Sequence, residues 1–532
     1  MTLGLICTEL GKKHALPSQS ATIIDDAIHG VLQTSPLVLI DIKSGHLCDG
    51  PKRVRIYKSE PGFEKLLSST VKRSDSDGVQ RAVKKYFEYV TLSHVWEGEE
   101  PLFQDVNNAG SVWNLDKSFS LNQKLRNFCE AVRADGYRWA WSDTCCIDKT
   151  INAVLNQSLK MMYKWYEASA ATFVFLVDVT SSSVPGALLK SIWMTRAWTS
   201  QELLAPKVIR FYTRDWKPYL GDTCSNHKKS TKIMKELADG IGVTRKTIIA
   251  FNPDGLGVRE KLHLASTRNA TREEDVAYSL IGIFESDIRP EYGEGYAALG
   301  HLLEEIVARS GEVIPLAWTG KSSRSRYNSC LPTSLAVYSR PPGTLSAVDS
   351  ATMDRHVAAL RNSLPRTYVI WVYDQITTLP PADFASRRLH LPCIIFAVQW
   401  LSKQDFGNGS ETSYHAQVSG IGDVEFQTSD KLSPKEPRRL ALVHPWIREL
   451  LDPLDRSIWG STTHADDDDN GYTRALRLIA RLHQPFYPLL LQQQSNGEYK
   501  RVAVEHKIVV QGLDPWVVDL SRDVRIEVVV IL

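Results

Sequence analysis

Hydrophobic and polar positions along the chain change period several times. Near residue 38, LVLIDIKSGHLCDG (38–50) reads as a strand running into a Gly/Asp turn, and VRIYKS (54–59) as its partner. SSTVKRSDSDGVQR (68–81) is polar and turn-rich and reads as a linker. From residue 86 strands and helices alternate. YVTLS (89–93) is a short β-branched run. Leu121, Leu125, Phe128 and Val132 fall at helical spacing and predict a helix over 120–135. YRWAWSD (137–143) predicts a second strand, and Leu155, Leu159, Met162, Tyr163 and Tyr166 a second helical stripe. TFVFLVDV (172–179) is almost continuously apolar, as a strand covered on both faces must be. WTSQELL (198–204) suits a short helix stopped by Pro206, and KVIRFY (207–212) a fourth strand. Such alternation predicts a parallel sheet with helices on both faces.

Residues 228–315 read as mainly helical. Thr271 and Glu274 resemble a capping box before an apolar stripe at Val276, Leu280, Ile283 and Phe284. KSSRSRYNS (321–329) is a polar break. Beyond it TYVIWVY (367–373), LHLPCIIFAV (389–398), RVAVEHKIVV (501–510) and VRIEVVVIL (524–532) are strand-like between turn residues. The expected organisation is a β-containing segment over 1–85, an α/β core over about 86–215, a helical extension over 216–320, and a β-rich domain over 330–532.

Composition adds little to this. Of 532 residues, 43% are hydrophobic and 23% charged, which excludes a mainly disordered chain or a coiled-coil rod. Lys and Arg number 63 against 61 Asp and Glu, a balance that argues against a protein built around nucleic-acid phosphates. The eight cysteines include no CxxC pair and are sparse for this length, which suggests reduced thiols and a cytoplasmic setting. No stretch reaches the roughly 18 uncharged apolar residues of a membrane helix, so no membrane span is expected. GxxxxGK[ST], HExxH and GxSxG are absent. The run from His464 to Gly471 matches half of a calcium loop, but its twelfth position is Arg477 rather than Glu, so it reads as an acidic loop. No metal site and no resident cofactor are expected.

In an open parallel sheet, ligands bind beyond the carboxyl ends of the strands. Ser93, His94, Trp96 and Glu97 follow the first strand; Asp143, Thr144, Cys145 and Cys146 follow the second; Asp178, Trp193, Arg196, Trp198 and Glu202 follow the third. Polar, acidic and aromatic residues thus gather at one end of the inferred sheet.

Four ordered motifs carry a family resemblance. Tyr89-Val-Thr-Leu-Ser-His-Val-Trp96, Trp141-Ser-Asp-Thr-Cys-Cys-Ile-Asp-Lys149, Trp193-Met-Thr-Arg-Ala-Trp-Thr-Ser-Gln-Glu202 and Ala270-Thr-Arg-Glu-Glu-Asp-Val276 resemble those of the fungal heterokaryon-incompatibility (HET) domain. The resemblance covers about residues 86–320. It departs at Val154-Leu-Asn-Gln157, where the family has acidic residues, and at Trp96-Glu97-Gly98, where the family has Trp-Gly. The resemblance implies fungal innate immunity, a cell-death-inducing domain, and a flavodoxin/TIR-like parallel sheet. Trp198-x-x-x-Glu202-Leu is similar to the TIR motif whose glutamate cleaves NAD+, which carries the catalytic carboxylate to Glu202. Ser93, His94, Asp143 and Arg196, with Trp96 and Trp198 as stacking walls, would then contact the dinucleotide. NAD+ or a related nucleotide would be substrate, not cofactor. The alternative is a non-enzymatic module that self-associates or binds an incompatibility partner protein; no nucleic-acid partner is expected.

Overall fold

The computed structural model describes residues 19–73, 76–320, 330–339, 349–404, 412–446, 469–511 and 524–532. The break at 321–329 and residues 464–468 of the acidic run therefore lie outside the described residues. Two compact units emerge: residues 1–194 with 201–251, and residues 195–200 with 252–532. Each is an α/β mixture, the first around a largely parallel sheet and the second rich in antiparallel strands.

In the first unit the strands are β1 (Val38–Asp41), β2 (Leu47–Asp49), β3 (Tyr89–His94), β4 (Trp139–Trp141), β5 (Ala171–Leu176) and β6 (Ile209–Thr213). Their spatial order is β2-β1-β4-β3-β5-β6. β4, β3, β5 and β6 run parallel, with Val90 opposite Ala140 on one side and Ala171 on the other. β1 adds antiparallel to β4 and pairs β2 in a hairpin. β3 and β5 are buried along their whole lengths, as strands covered on both faces are, and β5 is apolar but for Thr172. The crossover helices Ser120–Ala134 and Asn152–Ala168 pack on the sheet edge to face, through Phe128 on Phe173 and through Trp165 and Tyr166 on Trp141.

The leading segment differs from its expected form. Residues 54–59 are not a strand; 54–58 belong to the helix Gly50–Lys58 and Ser59 is its C-cap, because the Asp49 side chain caps Lys52 N and Pro51 presets the first turn. The partner of β1 is instead Leu47–Asp49. The expected linker at 68–81 falls on the helices Pro61–Arg73 and Ser76–Phe87, the second burying Val79, Val83 and Phe87 at a four-residue spacing. Gly45 makes the hairpin turn at φ +77°, and a Cβ there would stand 2.1 Å from Ser111 Oγ. Gly45→Ala is therefore expected to cost more than the ~1–2 kcal/mol of a left-handed residue alone, read as a lower urea midpoint with unchanged m-value.

The second unit carries the helices Val258–Ala265 and Ala297–Ser310. Its strands are β7 (Asp383–Ala385), β8 (Arg388–Gln404), β9 (Thr412–Val418), β10 (Gly422–Thr428), β11 (Leu440–Pro445), β12 (Leu489–Gln493), β13 (Tyr499–Val502) and β14 (Val524–Ile531). β8 pairs both β11 and β14, so β8-β11-β12-β13-β14 close on themselves, while β9 and β10 extend the far half of β8. Residues 367–373 form part of the helix Arg366–Thr377, not a strand. Pro365 starts it, and Val369, Val372, Tyr373 and Ile376 fall on one buried face. Of the expected strand at 501–510 only its start lies in β13, although Val510 forms an isolated bridge with Phe486. Among the described residues no helix is long and apolar enough to cross a membrane.

Candidate functional site

The order of the four parallel strands reverses at β3: β4, the next in chain order, lies on one side of it, and β5, the one after, on the other. Such a switch point opens a crevice beyond the strand ends. Ser93 and His94 end β3, and Asp143 lies two residues beyond β4. The short helix Thr199–Leu204 brings Glu202 to the same place.

Ser93 Oγ donates to Glu202 Oε2, and Trp193 Nε1 donates to Ser93 Oγ at 2.8 Å. Tyr166, whose hydroxyl donates to the Leu92 carbonyl at 3.1 Å, also bonds the Glu202 carboxyl. Glu202 is 7% exposed. Burial pushes its carboxyl up to about 7, with the Asp143 charge adding to the effect and Ser93, His94 and Tyr166 opposing it. Near neutral pH this group therefore exchanges a proton, as a carboxylate in a chemical role can be required to do.

A chain of charges adjoins it. His94 Nε2 lies 3.2 Å from Asp143 Oδ1, and His94 Nδ1 lies 3.4 Å from Glu100 Oε1. Burial and the Lys124 charge push the imidazole down, but its bonds to Asp143 and Glu100 outweigh them, leaving His94 above its ordinary value. Asp143 answers it: burial raises the carboxyl, yet His94, Lys149 and the Trp96 indole hold it at about 2. Lys124 Nζ, itself buried, donates to Glu100 at 2.6 Å and to the Val95 carbonyl at 3.0 Å. Trp96 Nε1 donates to Asp143 Oδ2 at 2.9 Å, and its ring is 42% exposed. Lys149 Nζ sits 3.7 Å from the Trp96 ring centroid and makes no hydrogen bond among the described residues.

The structure thus brings together Ser93, His94, Trp96, Asp143 and Glu202. Arg196 and Trp198 belong to the other compact unit. Arg196 Nη1 donates to Thr271 Oγ1 at 3.0 Å, and Trp198 bonds Asp275. Asp178 caps the turn at Ser191 and Ile192, at 2.6 and 2.7 Å. The bond to Cys146 and burial push the Cys145 thiol well up and keep it protonated. Among the described residues no cluster of three or more His, Cys, Asp or Glu side chains is placed to hold a metal ion.

Four residues of the site were not anticipated. Lys149 closes the second of the motifs that carry the family resemblance, and Tyr166 lies on the apolar stripe of the second helix, so both positions were a usable signal. Glu100 and Lys124 carried none: one lies in an irregular loop, the other beside Leu125 on an apolar helix face.

Residues 89–188 match the family model described as heterokaryon incompatibility protein (HET). That span includes Ser93, His94, Trp96 and Asp143 and ends short of Glu202. Over 229 residues the chain is 33% identical to the vegetative incompatibility protein HET-E-1 of Podospora anserina, covering 41% of this chain and 16% of that protein. The chain thus spans under a fifth of that relative's length. No solved structure matches. Both sequence matches are to heterokaryon-incompatibility proteins.

Proposed function

We propose that this chain is an effector of heterokaryon incompatibility that triggers programmed cell death, and that its parallel-sheet unit is a flavodoxin/TIR-like domain that hydrolyses NAD+. The observation that carries the reading is the Ser93–Glu202 bond at the switch point, beside Asp143 and an exposed tryptophan. The bond between ribose C1′ and the nicotinamide nitrogen breaks, and nicotinamide leaves neutral with the electron pair. The ribosyl cation that remains resembles an oxocarbenium ion and is stabilised by the Glu202 carboxylate. Water then adds to C1′ and its proton passes to Glu202 or to solvent. Ser93 aims the carboxylate, Asp143 orients a ribose hydroxyl, Trp96 stacks a ring, and Lys149 faces the pyrophosphate.

The test is nicotinamide release from NAD+ by purified protein. Wild type is expected to release it and Glu202→Gln to lose at least a hundredfold in rate, as for loss of one electrostatic stabiliser; an equally active Glu202→Gln protein ends the mechanism. Trp96→Ala is expected to raise KM several-fold with little change in the urea midpoint, because the ring is 42% exposed.

One observation favours a second reading, in which the domain signals by assembly without chemistry. Glu202 is 7% exposed and already engaged by Ser93 and Tyr166. Overexpression in a fungus separates the two: death that persists with Glu202→Gln favours assembly, and death that tracks nicotinamide release favours hydrolysis.

A further inference from the structure

In the second unit β10 is an edge strand, with β9 on one side of it and, among the described residues, no strand on the other. The register says which of its backbone groups look outward. Ser419, just past β9, donates its N–H to the Ala397 carbonyl of β8. The odd-numbered residues of β9 therefore face β8 and the even-numbered ones face β10. In β10, Val424 and Phe426 bond β9, while Asp423, Glu425 and Gln427 turn their N–H and C=O groups away from it. The Gln427 carbonyl confirms the direction by accepting from Glu505 N at 3.0 Å. The outward groups of Asp423 and Glu425 have no partner among the described residues. The sheet of the first unit closes its β6 edge, where the outward amides of Ile209 and Phe211 donate to Asn226 Oδ1 and His227 Nδ1 at 3.2 and 3.0 Å. An edge left open is a template for another strand.

The side chains decide which kind of strand. Val424 and Phe426 are buried in the core, and Asp423 and Glu425 are exposed on the opposite face. On that face Gln427 Nε2 donates to Ser413 Oγ at 3.1 Å, and His415 meets the half-exposed ring of Trp400 edge to face at 5.6 Å between centroids. His415 Nε2 lies 3.7 Å from Asp423 Oδ1, yet the Asp423 side chain stays 69% exposed. The open edge thus carries carboxylates at alternate positions. Like charges directly opposite destabilise a strand pair, so a second copy offering its own β10 would set carboxylate against carboxylate. A basic strand stands in the opposite relation. In an antiparallel pair the residues opposite Asp423 and Glu425 share their face, and the residue between them lies beside Val424.

We propose that the outer edge of β10 captures an extended basic segment of a partner protein by strand addition, with Lys or Arg opposite Asp423 and Glu425 and a β-branched residue between them. The backbone groups of Asp423 and Glu425 supply the affinity, and their carboxylates supply the selection for charge at alternate positions.

The experiment is fluorescence anisotropy of a labelled peptide, Lys-Val-Lys-Thr-Lys-Val-Lys, titrated with the full chain at physiological ionic strength. The same peptide with Glu for Lys, and the lysine peptide N-methylated at its lysine amides, run in parallel. The lysine peptide is expected to bind, and the glutamate peptide to bind at least about tenfold more weakly, since its opposed pairs become like-charged. N-methylation is expected to abolish binding, which separates strand pairing from charge attraction alone. Asp423→Lys combined with Glu425→Lys is expected to reverse the preference between the two unmethylated peptides. Glu425→Pro removes an outward N–H, leaves the bonds to β9 in place, and is expected to weaken the lysine peptide several-fold. No binding of the lysine peptide, equal binding of the glutamate peptide, binding that survives N-methylation, or an unreversed preference in the combined variant overturns the proposal, whether or not Glu425→Pro folds. A dimer in sedimentation that Glu425→Pro dissolves makes the occupant a second copy and overturns it as well.

Discussion

Glu202→Gln is expected to make the protein more stable at pH 8 and to leave it nearly unchanged at pH 4.5, while removing nicotinamide release. The carboxyl has an ordinary value of 4.5 and lies at about 7 in the fold. Its folded value is raised, so between these two pH values the native chain binds a proton that the unfolded chain has released. Stability therefore falls as pH rises from about 4.5 through about 7, and levels off above. Each pH unit of that difference is worth about 1.4 kcal/mol, so an ionised Glu202 costs the fold on the order of 3 kcal/mol at pH 8. Glutamine keeps the shape and an acceptor for Ser93 but carries no charge. Urea denaturation of both proteins from pH 4.5 to 8 reads the difference directly. A flat difference across that range would mean that Glu202 is not held at a raised value. Opposite signs for stability and activity at one residue are what a functional carboxylate predicts, because its charge is kept at the expense of the fold.

Much of this arrangement could be read before any coordinates. β5 is a nearly continuous apolar run because both its faces are covered, and the stripes of the crossover helices have the helical period throughout. The expected end of the sheet carries Ser93, His94, Asp143 and Glu202, since strand ends follow from strand positions. Two of the expected strands fail for one physical reason. Val54, Ile56 and residues 367–373 are β-branched or aromatic, yet a capping Asp49 and a leading Pro365 begin helices there, so local start signals and burial overrode propensity. Trp198 and Glu202 are one helical turn apart in sequence. The chain passes between compact units between them, and Trp198 bonds Asp275. Helical spacing reports which residues are neighbours on an isolated helix, not which neighbours a side chain selects when two cores compete for it.

Lys124→Met is expected to destabilise the protein by roughly 3–5 kcal/mol, the cost of leaving one member of a buried ion pair without its partner. Lys124 and Glu100 are each at most 8% exposed, and their 2.6 Å contact continues through His94 to Asp143. Removing the ammonium strands the Glu100 carboxylate in a site where burial already works against its charge. The double variant Lys124→Met with Glu100→Gln removes both charges and is expected to recover most of the loss, because a neutral pair of similar volume carries no desolvation cost. A double-mutant cycle in urea measures the coupling, and additive single effects would show that the contact carries no net energy. The same change acts at a distance on the site. Lys124 holds the His94 value down and Glu100 holds it up, so Lys124→Met alone should raise the pH at which His94 loses its proton. His94⁺ is one of the groups that draws Glu202 downward. Any activity that depends on Glu202 should then shift its pH profile toward acid in Lys124→Met. A purely structural role for the Lys124–Glu100 pair would change stability and leave that profile where it is.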